Sequence, residues 1–347
     1  MTLPCLGVVV VTFNSADVIL DCLESLLGSQ AVILHIAIVD NASGDATVAL
    51  LRDWARGGAC EISADLPLFL RPAPKPLRLD GGENADTPHR IQLIETGVNA
   101  GFAAGVNQGL AALAVNPGLE RFWIVNPDSV AAPQAASAFA NLAAPAGGFA
   151  LIGGRVLYLD NPEIIQIDGG TLNRKTGVTG NLGLYARAQD TPPPLPSQMD
   201  FITGASMVVS RQFYETAGPM PEDYFLYYEE VDWALQRGDL PLLYCPEAVV
   251  YHRAGTAIGS PTLGRPASPF SLYFKHRARL RFMRRYFPGS VPLAYAYSLA
   301  KAAQLLVKGY PIEAWTIFSA SLNMPPAAAI RARLSSEAGK RAFVRRE

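Results

Sequence analysis

Three carboxylates stand in an otherwise aromatic and aliphatic segment, FLYYEEVDWA at residues 225–234: Glu229, Glu230 and Asp232. The simpler explanation is the exposed first turn of a helix, where the helix dipole favours acidic side chains. The alternative is a general base with supporting carboxylates, since a carboxylate can take the proton of an attacking hydroxyl. Mutual repulsion and poor solvation would raise the pKa of such a base, whereas a helix N-terminus would lower it. This segment by itself leaves both explanations open.

A second group of residues, mostly polar, follows the predicted strands. It comprises Thr12, Phe13 and Asn14, then Asp40 and Asn41, then Asn99, and finally Asn126 and Asp128. In open α/β sheets, ligands bind beyond the carboxyl ends of the strands. We therefore expect these side chains to converge on one crevice.

A nucleoside diphosphate carrying a leaving group would suit such a crevice. A carboxylate such as Asp40 can accept the N3–H of uracil or thymine, with Asn41 or Asn14 assisting at the ring or the ribose. The diphosphate needs a cation, and oxygen ligands with an imidazole suit Mg²⁺ or Mn²⁺. Asp128 and His252, each at the end of a strand-like run, are the candidate ligands. Taken singly, an aspartate after proline is more often a turn residue, and a lone histidine is more often structural.

These residues need a scaffold of alternating strands and helices. The β-branched run LGVVVVTF (6–13) predicts a strand buried on both faces, and Asn14 and Ser15 are candidate caps for the helix that follows. Further strands at 36–40, 91–97 and 122–126 alternate with helices at 47–55 and 101–114. This order predicts an α/β fold with a mostly parallel sheet and helices on both faces. The glycines of GFAAGVNQG indicate either close helix packing or close approach to a ligand.

The chain divides into three expected regions. Residues 1–150 form the first half of the α/β domain and include a proline-rich inserted loop at 56–90. Residues 151–268 form the second half, with strands at 201–210 and 242–252 and a glycine-rich hairpin segment at 168–183. Residues 269–347 form a basic helical tail: from Lys275 onward there are 14 Lys and Arg against 3 Glu, whereas residues 1–274 hold 15 basic and 27 acidic residues. Such asymmetry favours an anionic partner for the tail.

Composition excludes several classes of protein. No run reaches the roughly 18 uncharged apolar residues of a membrane span. The N-terminus shows no secretory signal, and the four cysteines are scattered, which favours reduced thiols in a cytoplasmic protein. The first turn, FNSAD, lacks the glycines of a dinucleotide-binding motif, and neither a P-loop nor G-x-S-x-G is present.

Seven short motifs occur along the chain in this order: VVVVTFN, IVDNASGD, NAGFAAGVNQG, NPD, FITGASMVVSR, FLYYEEVDWALQRG and PEAVVYH. Together they resemble the family 2 inverting glycosyltransferases of the GT-A fold. The resemblance spans roughly residues 6 to 290. It is most similar to the rhamnosyltransferase-like branch, bacterial enzymes that build cell-surface polysaccharide. It implies a nucleoside-diphosphate sugar donor, with dTDP-rhamnose as the first candidate, and a saccharide or lipid-linked saccharide acceptor.

The resemblance also implies roles for individual residues. Asp40 is similar to the base-recognition aspartate, and Asp128 and His252 to metal ligands. Glu230 resembles the general base, although the family commonly has Glu-Asp where this chain has Glu229 and Glu230, so the assignment stays open among Glu229, Glu230 and Asp232. The donor-contacting positions implied by the N-x-G-F run and by FITGAS are Asn99, Gly101, Phe102, Asn107 and Gly204.

Two other functions remain as alternatives. A nucleotidyltransferase would use the same kind of sheet, and a non-catalytic relative would bind a nucleotide-sugar or glycan without transfer. For the tail, residues 270–310 predict a basic amphipathic surface that contacts the inner membrane, against the simpler option of a helix packed on the domain. No motif predicts nucleic-acid binding. The oligomeric state is unknown from sequence.

Overall fold

The computed structural model describes residues 2–58, 71–253 and 267–343. Its strands are β1 Cys5–Thr12, β2 Ile33–Asp40, β3 Arg90–Glu95, β4 Arg121–Val125, β5 Ser129–Ala131, β6 Leu151–Tyr158, β7 Asn161–Ile167, β8 Gly170–Leu172, β9 Thr179–Asn181, β10 Ser206–Ser210 and β11 Leu242–His252. Its helices are α1 Ile19–Leu27, α2 Thr47–Arg56, α3 Phe102–Ala114, α4 Ala135–Asn141, α5 Arg211–Ala217, α6 Glu229–Leu235, α7 Pro269–Tyr286, α8 Val291–Val307, α9 Pro311–Ser321, α10 Ala328–Arg331 and α11 Ser336–Ala342.

One sheet runs through the domain in the order β3-β2-β1-β4-β10-β6-β11-β5, with β7 paired to β6. The pairs among β3, β2, β1 and β4 are parallel, as predicted. Beyond β4 the sheet is mixed, because β10 is antiparallel to both of its neighbours while β11 is parallel to β6. The α/β architecture is confirmed. The sheet also continues across residue 150, so the two expected halves share it.

Strand β1 is buried on both faces because it separates two hydrophobic cores. Val9 and Val11 point into the core that includes α3, and Leu6, Val8 and Val10 into the core that includes α1 and α2. The glycines of α3 serve this packing. A Cβ at Gly105 would lie 2.6 Å from a methyl of Val11, and one at Gly109 would lie 2.5 Å from a methyl of Val9. Of the two explanations for these glycines, the structure supports close packing.

The first helix begins later than predicted. Helix α1 starts at Ile19, and Asn14, with φ of 51°, and Ser15 lie in the preceding turn rather than at its cap. The Asn14 side chain instead accepts a hydrogen bond from the backbone N–H of Gly44 at 2.8 Å. It therefore joins the loops that follow β1 and β2.

The described part of the 56–90 insertion packs on α1 and α2. Both oxygens of the buried Glu24 are used there: Oε2 accepts from the backbone N–H of Ala73, and Oε1 accepts from Lys75 Nζ and Trp54 Nε1. None of the described residues of the insertion lines the cavity described below. Of the four cysteines, Cys5 is exposed, Cys22 and Cys245 are buried, and Cys60 lies outside the described residues.

Helix α7, at the start of the region 270–310 for which a membrane contact was predicted, matches the simpler alternative of a helix packed on the domain. Helix α7 is largely buried, and its arginines donate to acceptors within the protein: Arg277 to Asn323, Arg279 to Thr176, Arg281 to Asp223, Arg284 to Tyr295 and Arg285 to Asp223 and Asp232. Arg279, Arg281 and Arg285 thereby anchor the tail to the domain, whereas Arg277 and Arg284 bond within the tail. In the part of the chain that the structure describes, no helix combines the length and apolar character that crossing a bilayer requires.

Candidate functional site

A cavity of about 490 Å³ opens at the carboxyl edge of β1, β2 and β4. The predicted convergence is largely observed, because residues from loops far apart in sequence line it together. The predicted site residues that line it are Phe13, Asn14, Asn41, Asn99, Gly101, Phe102, Asn126, Asp128 and His252.

Asp128 and His252 meet in this cavity because of strand pairing. Strand β11 runs antiparallel to β5, and the register sets His252 opposite Ser129, directly after Asp128. The His252 Nε2 atom lies 3.1 Å from Asp128 Oδ1. Asn126, from the turn that ends β4, has its Nδ2 atom 3.3 Å from the same His252 nitrogen.

The other nitrogen of His252 fixes the orientation of its ring. Nδ1 lies 2.7 Å from Oε1 of the buried Gln166, which accepts the Nδ1 proton. In the neutral imidazole, Nε2 is then left with a lone pair that faces the Asp128 carboxylate. Two acceptors at this distance repel unless a positive charge lies between them, either a proton or a metal ion. This donor set fits a divalent cation, and Gln166 would then be the outer partner that ligating histidines commonly have.

Protein groups alone do not complete a metal site. Among the residues that the structure describes, no group of three or more histidine, cysteine, aspartate or glutamate side chains could hold a metal. A cation at Asp128 and His252 would need oxygens from a ligand, as is usual for Mg²⁺ at diphosphates.

Asp40 and Thr12 were also predicted to contact the donor, but they are not among the residues that line the cavity. They are register partners at the ends of β2 and β1, and both are buried. Asp40 Oδ2 accepts from the backbone N–H of Ser43 at 3.0 Å, whereas Asp40 Oδ1 and Thr12 Oγ1 have no hydrogen-bond partner in the described structure. Buried polar atoms without partners are rare and costly. Their presence at this edge fits a ligand that supplies a hydrogen bond.

Asn41 and Asn99 shape the start of α3. Asn41 Nδ2 donates to the Gly101 carbonyl at 2.8 Å, and Asn99 Oδ1 accepts from the Gly101 N–H at 3.0 Å. Gly101 has φ of 101°, and a Cβ there would lie 2.5 Å from the Phe225 carbonyl oxygen. The next residue, Phe102, donates its N–H to that same oxygen at 3.1 Å. The N-x-G-F run therefore joins the cavity to the acidic segment.

Asn107 and Gly204 do not line the cavity, contrary to prediction. Asn107 exchanges hydrogen bonds with the backbone of Met220 and also donates to Glu222. It holds the segment that leads into α6. A Cβ at Gly204 would lie 3.2 Å from the Phe102 ring, so this glycine makes room for a residue that does line the cavity.

The acidic segment follows a strained turn. Phe225, Tyr227 and Tyr228 have φ of 66°, 69° and 71°, a region that costs a non-glycine residue about 1–3 kcal/mol. Hydrogen bonds hold the turn: Tyr228 Oη donates to the Gly177 carbonyl, and Tyr227 Oη pairs with Ser271 Oγ, both at 2.6 Å. Phe225 and Leu226 line the cavity, and α6 begins just beyond them.

Glu229 and Glu230 lie at the start of α6, outside the lining of the cavity. Glu229 is buried and its Oε2 has no hydrogen-bond partner among the described residues. Burial, and then the charge of Glu230, raise the pKa of Glu229 well above its ordinary value. Glu230 is half-buried, and desolvation raises its pKa too. Asp128 and His252 thus meet in one cavity, as expected, but Glu230 does not line that cavity with them.

Asp232 has a different environment from the two glutamates. It is fully buried and accepts hydrogen bonds from Tyr224, Gln236, Arg285 and Tyr286 at 2.5–2.7 Å. With both oxygens used, it has no capacity to take a proton from a substrate. We correct the prediction accordingly: Asp232 joins α6 to α7.

Two cations at the cavity were missed by sequence reasoning. Arg253 follows His252, and its buried Nε has no hydrogen-bond partner in the described structure. Arg333 comes from the tail, after α10, and stacks 4.6 Å over the ring of Phe270. Arg253 could have been found as the neighbour of a predicted ligand. Arg333 had no local signal, because only the folding of the tail brings it here.

Comparisons with known proteins agree with this description. Residues 7–64 match the family model described as Glycosyl transferase family 2. The N-acetylglucosaminyl-diphospho-decaprenol L-rhamnosyltransferase of Mycobacterium tuberculosis, in two strains, is 26% identical over 223 residues, which cover 57% of this chain and 71% of that protein.

A solved structure shows the same fold. The mannosyltransferase PcManGT from Pyrobaculum calidifontis, in complex with GDP-Man and Mn²⁺, superposes with a TM-score of 0.51 at 16% identity, covering 93% of this chain and 87% of that chain. The predicted GT-A fold is confirmed by this likeness, and the resemblance to family 2 is confirmed by the matched residues.

Proposed function

We propose that this chain, a glycosyltransferase with the GT-A fold, transfers a sugar with inversion from a nucleoside-diphosphate sugar to a hydroxyl of a saccharide or lipid-linked saccharide. The observation that carries this proposal is the pairing of Asp128 with His252 inside a cavity at the carboxyl edge of the sheet. That edge is where nucleotides bind in open α/β sheets.

The nucleoside would lie over the loops that follow β1 and β2. Asp40 is proposed to accept the N3–H of a uracil or thymine ring, because its buried Oδ1 has no hydrogen-bond partner in the described structure. Asn14 and Asn41 line the cavity beside it. Uracil and thymine share this N3–H, and the donor we propose first is dTDP-rhamnose, in keeping with the rhamnosyltransferase named above.

The diphosphate would lie between Asp128, His252 and the two arginines. A Mg²⁺ or Mn²⁺ ion held by Asp128 and His252 would supply electrostatic stabilisation of the departing diphosphate. Arg253 and Arg333 line the same cavity and carry charge of the required sign. Arginine suits phosphate because its planar fork can donate two parallel hydrogen bonds.

Transfer is a single displacement. The acceptor oxygen bonds to the anomeric carbon, the bond from that carbon to the diphosphate oxygen breaks, and the acceptor proton passes to a carboxylate. We propose Glu230 as this base: it is half-buried and thus reachable, and desolvation raises its pKa. Closer matching of a base's pKa to the operating pH favours general-base catalysis. Glu229, fully buried, is the less accessible of the two.

The acceptor is proposed to be lipid-linked, as it is by name in the mycobacterial rhamnosyltransferase, and part of cell-surface polysaccharide synthesis. Such an acceptor would be reached from the cytoplasmic face of a membrane, with this chain bound at its surface.

A thermal-shift screen tests the proposal directly. Uridine, thymidine and guanosine diphosphates and their sugars would be compared with and without Mn²⁺. Stabilisation by a pyrimidine nucleoside diphosphate that increases with Mn²⁺ is expected. Absence of any stabilisation by a nucleoside diphosphate would overturn the donor assignment. Stabilisation without sugar transfer to any lipid-linked acceptor would favour a non-catalytic binding protein.

A further inference from the structure

Helix α8 exposes an apolar face. Of its residues with exposed side chains, only Gln304 is polar. The large apolar ones are Leu293, Leu299, Leu306 and Val307, and Leu306 and Val307 are 59% and 89% exposed. A helix on a soluble surface normally turns polar side chains outward. Helix α8 does the reverse, and this needs an explanation.

Helix α9 continues the same pattern. Its exposed side chains are Pro311, Ile312 and Trp315, and Leu322 follows at its end. The Trp315 ring contacts that of the half-buried Phe318, with 5.5 Å between ring centroids. Of the twelve exposed large apolar side chains in the described chain, seven lie between residues 293 and 322. Single exposed apolar residues are normal, whereas a concentration like this marks an interaction surface.

The opposite faces of these helices are occupied by internal packing. Ala302 and Leu305 of α8 pack with Ala314 and Ile317 of α9 and with Leu272 of α7. Buried Ser298 accepts a hydrogen bond from Arg279 of α7. The exposed apolar faces are therefore separate from the faces that already pack in the hydrophobic core. We call α8, α9 and the turn between them, residues 291–321, the C-terminal hairpin.

Charge indicates what covers the C-terminal hairpin. Lys308 is exposed in its turn and Lys301 is partly exposed on α8, whereas Glu313 is its only acidic residue. A second copy of this chain paired through the same face would bring together two surfaces that each carry two lysines against one glutamate. An anionic lipid surface would instead accept the apolar side chains at its boundary and attract the cations.

We infer that the C-terminal hairpin is the membrane-binding surface of this protein, with Val307, Ile312 and Trp315 entering the lipid boundary and Lys301 and Lys308 contacting anionic headgroups. Tryptophan is enriched at this depth because one end of its ring is apolar and the other polar. The arginines of α7, which bond within the protein, hold the hairpin to the catalytic domain. This assignment rests on the proposed function only in that both place the protein at a membrane.

Vesicle binding of the full chain without any substrate tests the inference, so its result is separate from that of the donor screen. The four tryptophans give a built-in probe, because Trp54, Trp123 and Trp233 are buried and Trp315 is exposed. A blue shift of fluorescence, and quenching by brominated lipid, would report Trp315. We expect binding to vesicles with 30% anionic lipid and weaker binding to neutral ones, with salt reducing the difference.

Matched variants make the test specific. Val307→Ser with Ile312→Ser should weaken binding by at least ~10-fold, from the apolar area lost. The control is Val115→Ser with Leu195→Ser, two side chains that are 82% and 65% exposed elsewhere; it should bind as the wild type does. Lys301→Gln and Lys308→Gln should each cost about fivefold on anionic vesicles only. Equal binding by the hairpin variant, or no vesicle binding by the wild type, would overturn the inference. So would a dimer in ultracentrifugation that the hairpin variant converts to a monomer.

Discussion

The His252 Nε2 atom lies 3.1 Å from Asp128 Oδ1, while the His252 Nδ1 atom lies 2.7 Å from Gln166 Oε1. Because Gln166 Oε1 accepts the Nδ1 proton, Nε2 is the ring nitrogen that faces the Asp128 carboxylate. A divalent cation between the two acceptors would convert their repulsion into coordination. Gln166 lies on β7, outside the predicted motifs. Its contribution to metal binding can therefore be measured separately from theirs.

Replacing Gln166 with Met should weaken Mn²⁺ binding by about 10–100-fold, because the histidine ring loses the partner that fixes its tautomer. Calorimetric titration of Mn²⁺ into protein saturated with the nucleoside diphosphate measures this. Gln108→Met, at an exposed position of α3, is the control. An unchanged affinity in the Gln166 variant would remove Gln166 from the metal site.

Glu230→Gln should reduce the rate of sugar transfer by about 10²–10⁴-fold and leave donor affinity unchanged, because only proton removal is lost. Single-turnover transfer and donor titration measure the two effects. Glu229→Gln is the comparison. If the Glu229 variant shows the larger loss of transfer, then the base is Glu229, and if neither variant loses transfer, the base lies outside this segment.

Glu229→Gln should stabilise the protein, increasingly as pH rises above 4.5, the ordinary pKa of a glutamate. Burial raises the folded-state pKa of Glu229, so unfolding releases a proton between that ordinary value and the folded one. Wild-type stability therefore falls through this window, whereas glutamine does not titrate. Thermal melts of both proteins from pH 4 to pH 8 would show a widening gap in Tm. A constant gap would mean that Glu229 ionises normally in the folded protein.

Asp232→Asn should destabilise the fold by about 2 kcal/mol, because the amide nitrogen cannot accept the hydrogen bonds that Tyr224, Arg285 and Tyr286 donate to the buried carboxylate. Urea denaturation measures the free energy of unfolding. Asp223→Asn, at a partly exposed partner of the same arginine, should change it by about 1 kcal/mol or less. Loss of transfer without loss of stability in the Asp232 variant would restore a catalytic role to this residue.

Arg333→Ala should weaken binding of the nucleoside diphosphate by about 10–100-fold and leave binding of the nucleoside unchanged, since only the phosphates would contact the guanidinium. Calorimetry with both ligands separates the effects. Arg331→Ala, an exposed position of the same tail segment that does not line the cavity, is the control. An equal loss for nucleoside and nucleoside diphosphate would indicate that the tail merely supports the cavity wall.

Much of the site could be predicted because its residues end strands. The run LGVVVVTF has the β-branched, uninterrupted pattern of a doubly buried strand, and parallel neighbours must end at one edge. That rule brought Asn41, Asn126 and Asp128 together in advance. It failed for Thr12 and Asp40, which end strands but do not line the cavity. Asn107 was implied by the resemblance alone, and its side chain turns toward Met220 rather than the cavity.

The amino-acid sequence by itself determined the α/β order and the sheet edge where polar side chains gather, because short-range hydrophobic periodicity and turn residues encode these. It offered Asp128 and His252 only as separate candidates, and the pairing of β11 with β5 brought them together. Only the tertiary structure decided which charges remain available. In the sequence, Asp232 resembles Glu230, and the arginines of α7 resemble Lys308. In the structure, Asp232 and those arginines form hydrogen bonds within the protein. Whether a charge bonds inside or faces a ligand or lipid depends on residues distant in the chain, and local patterns hold no information about those.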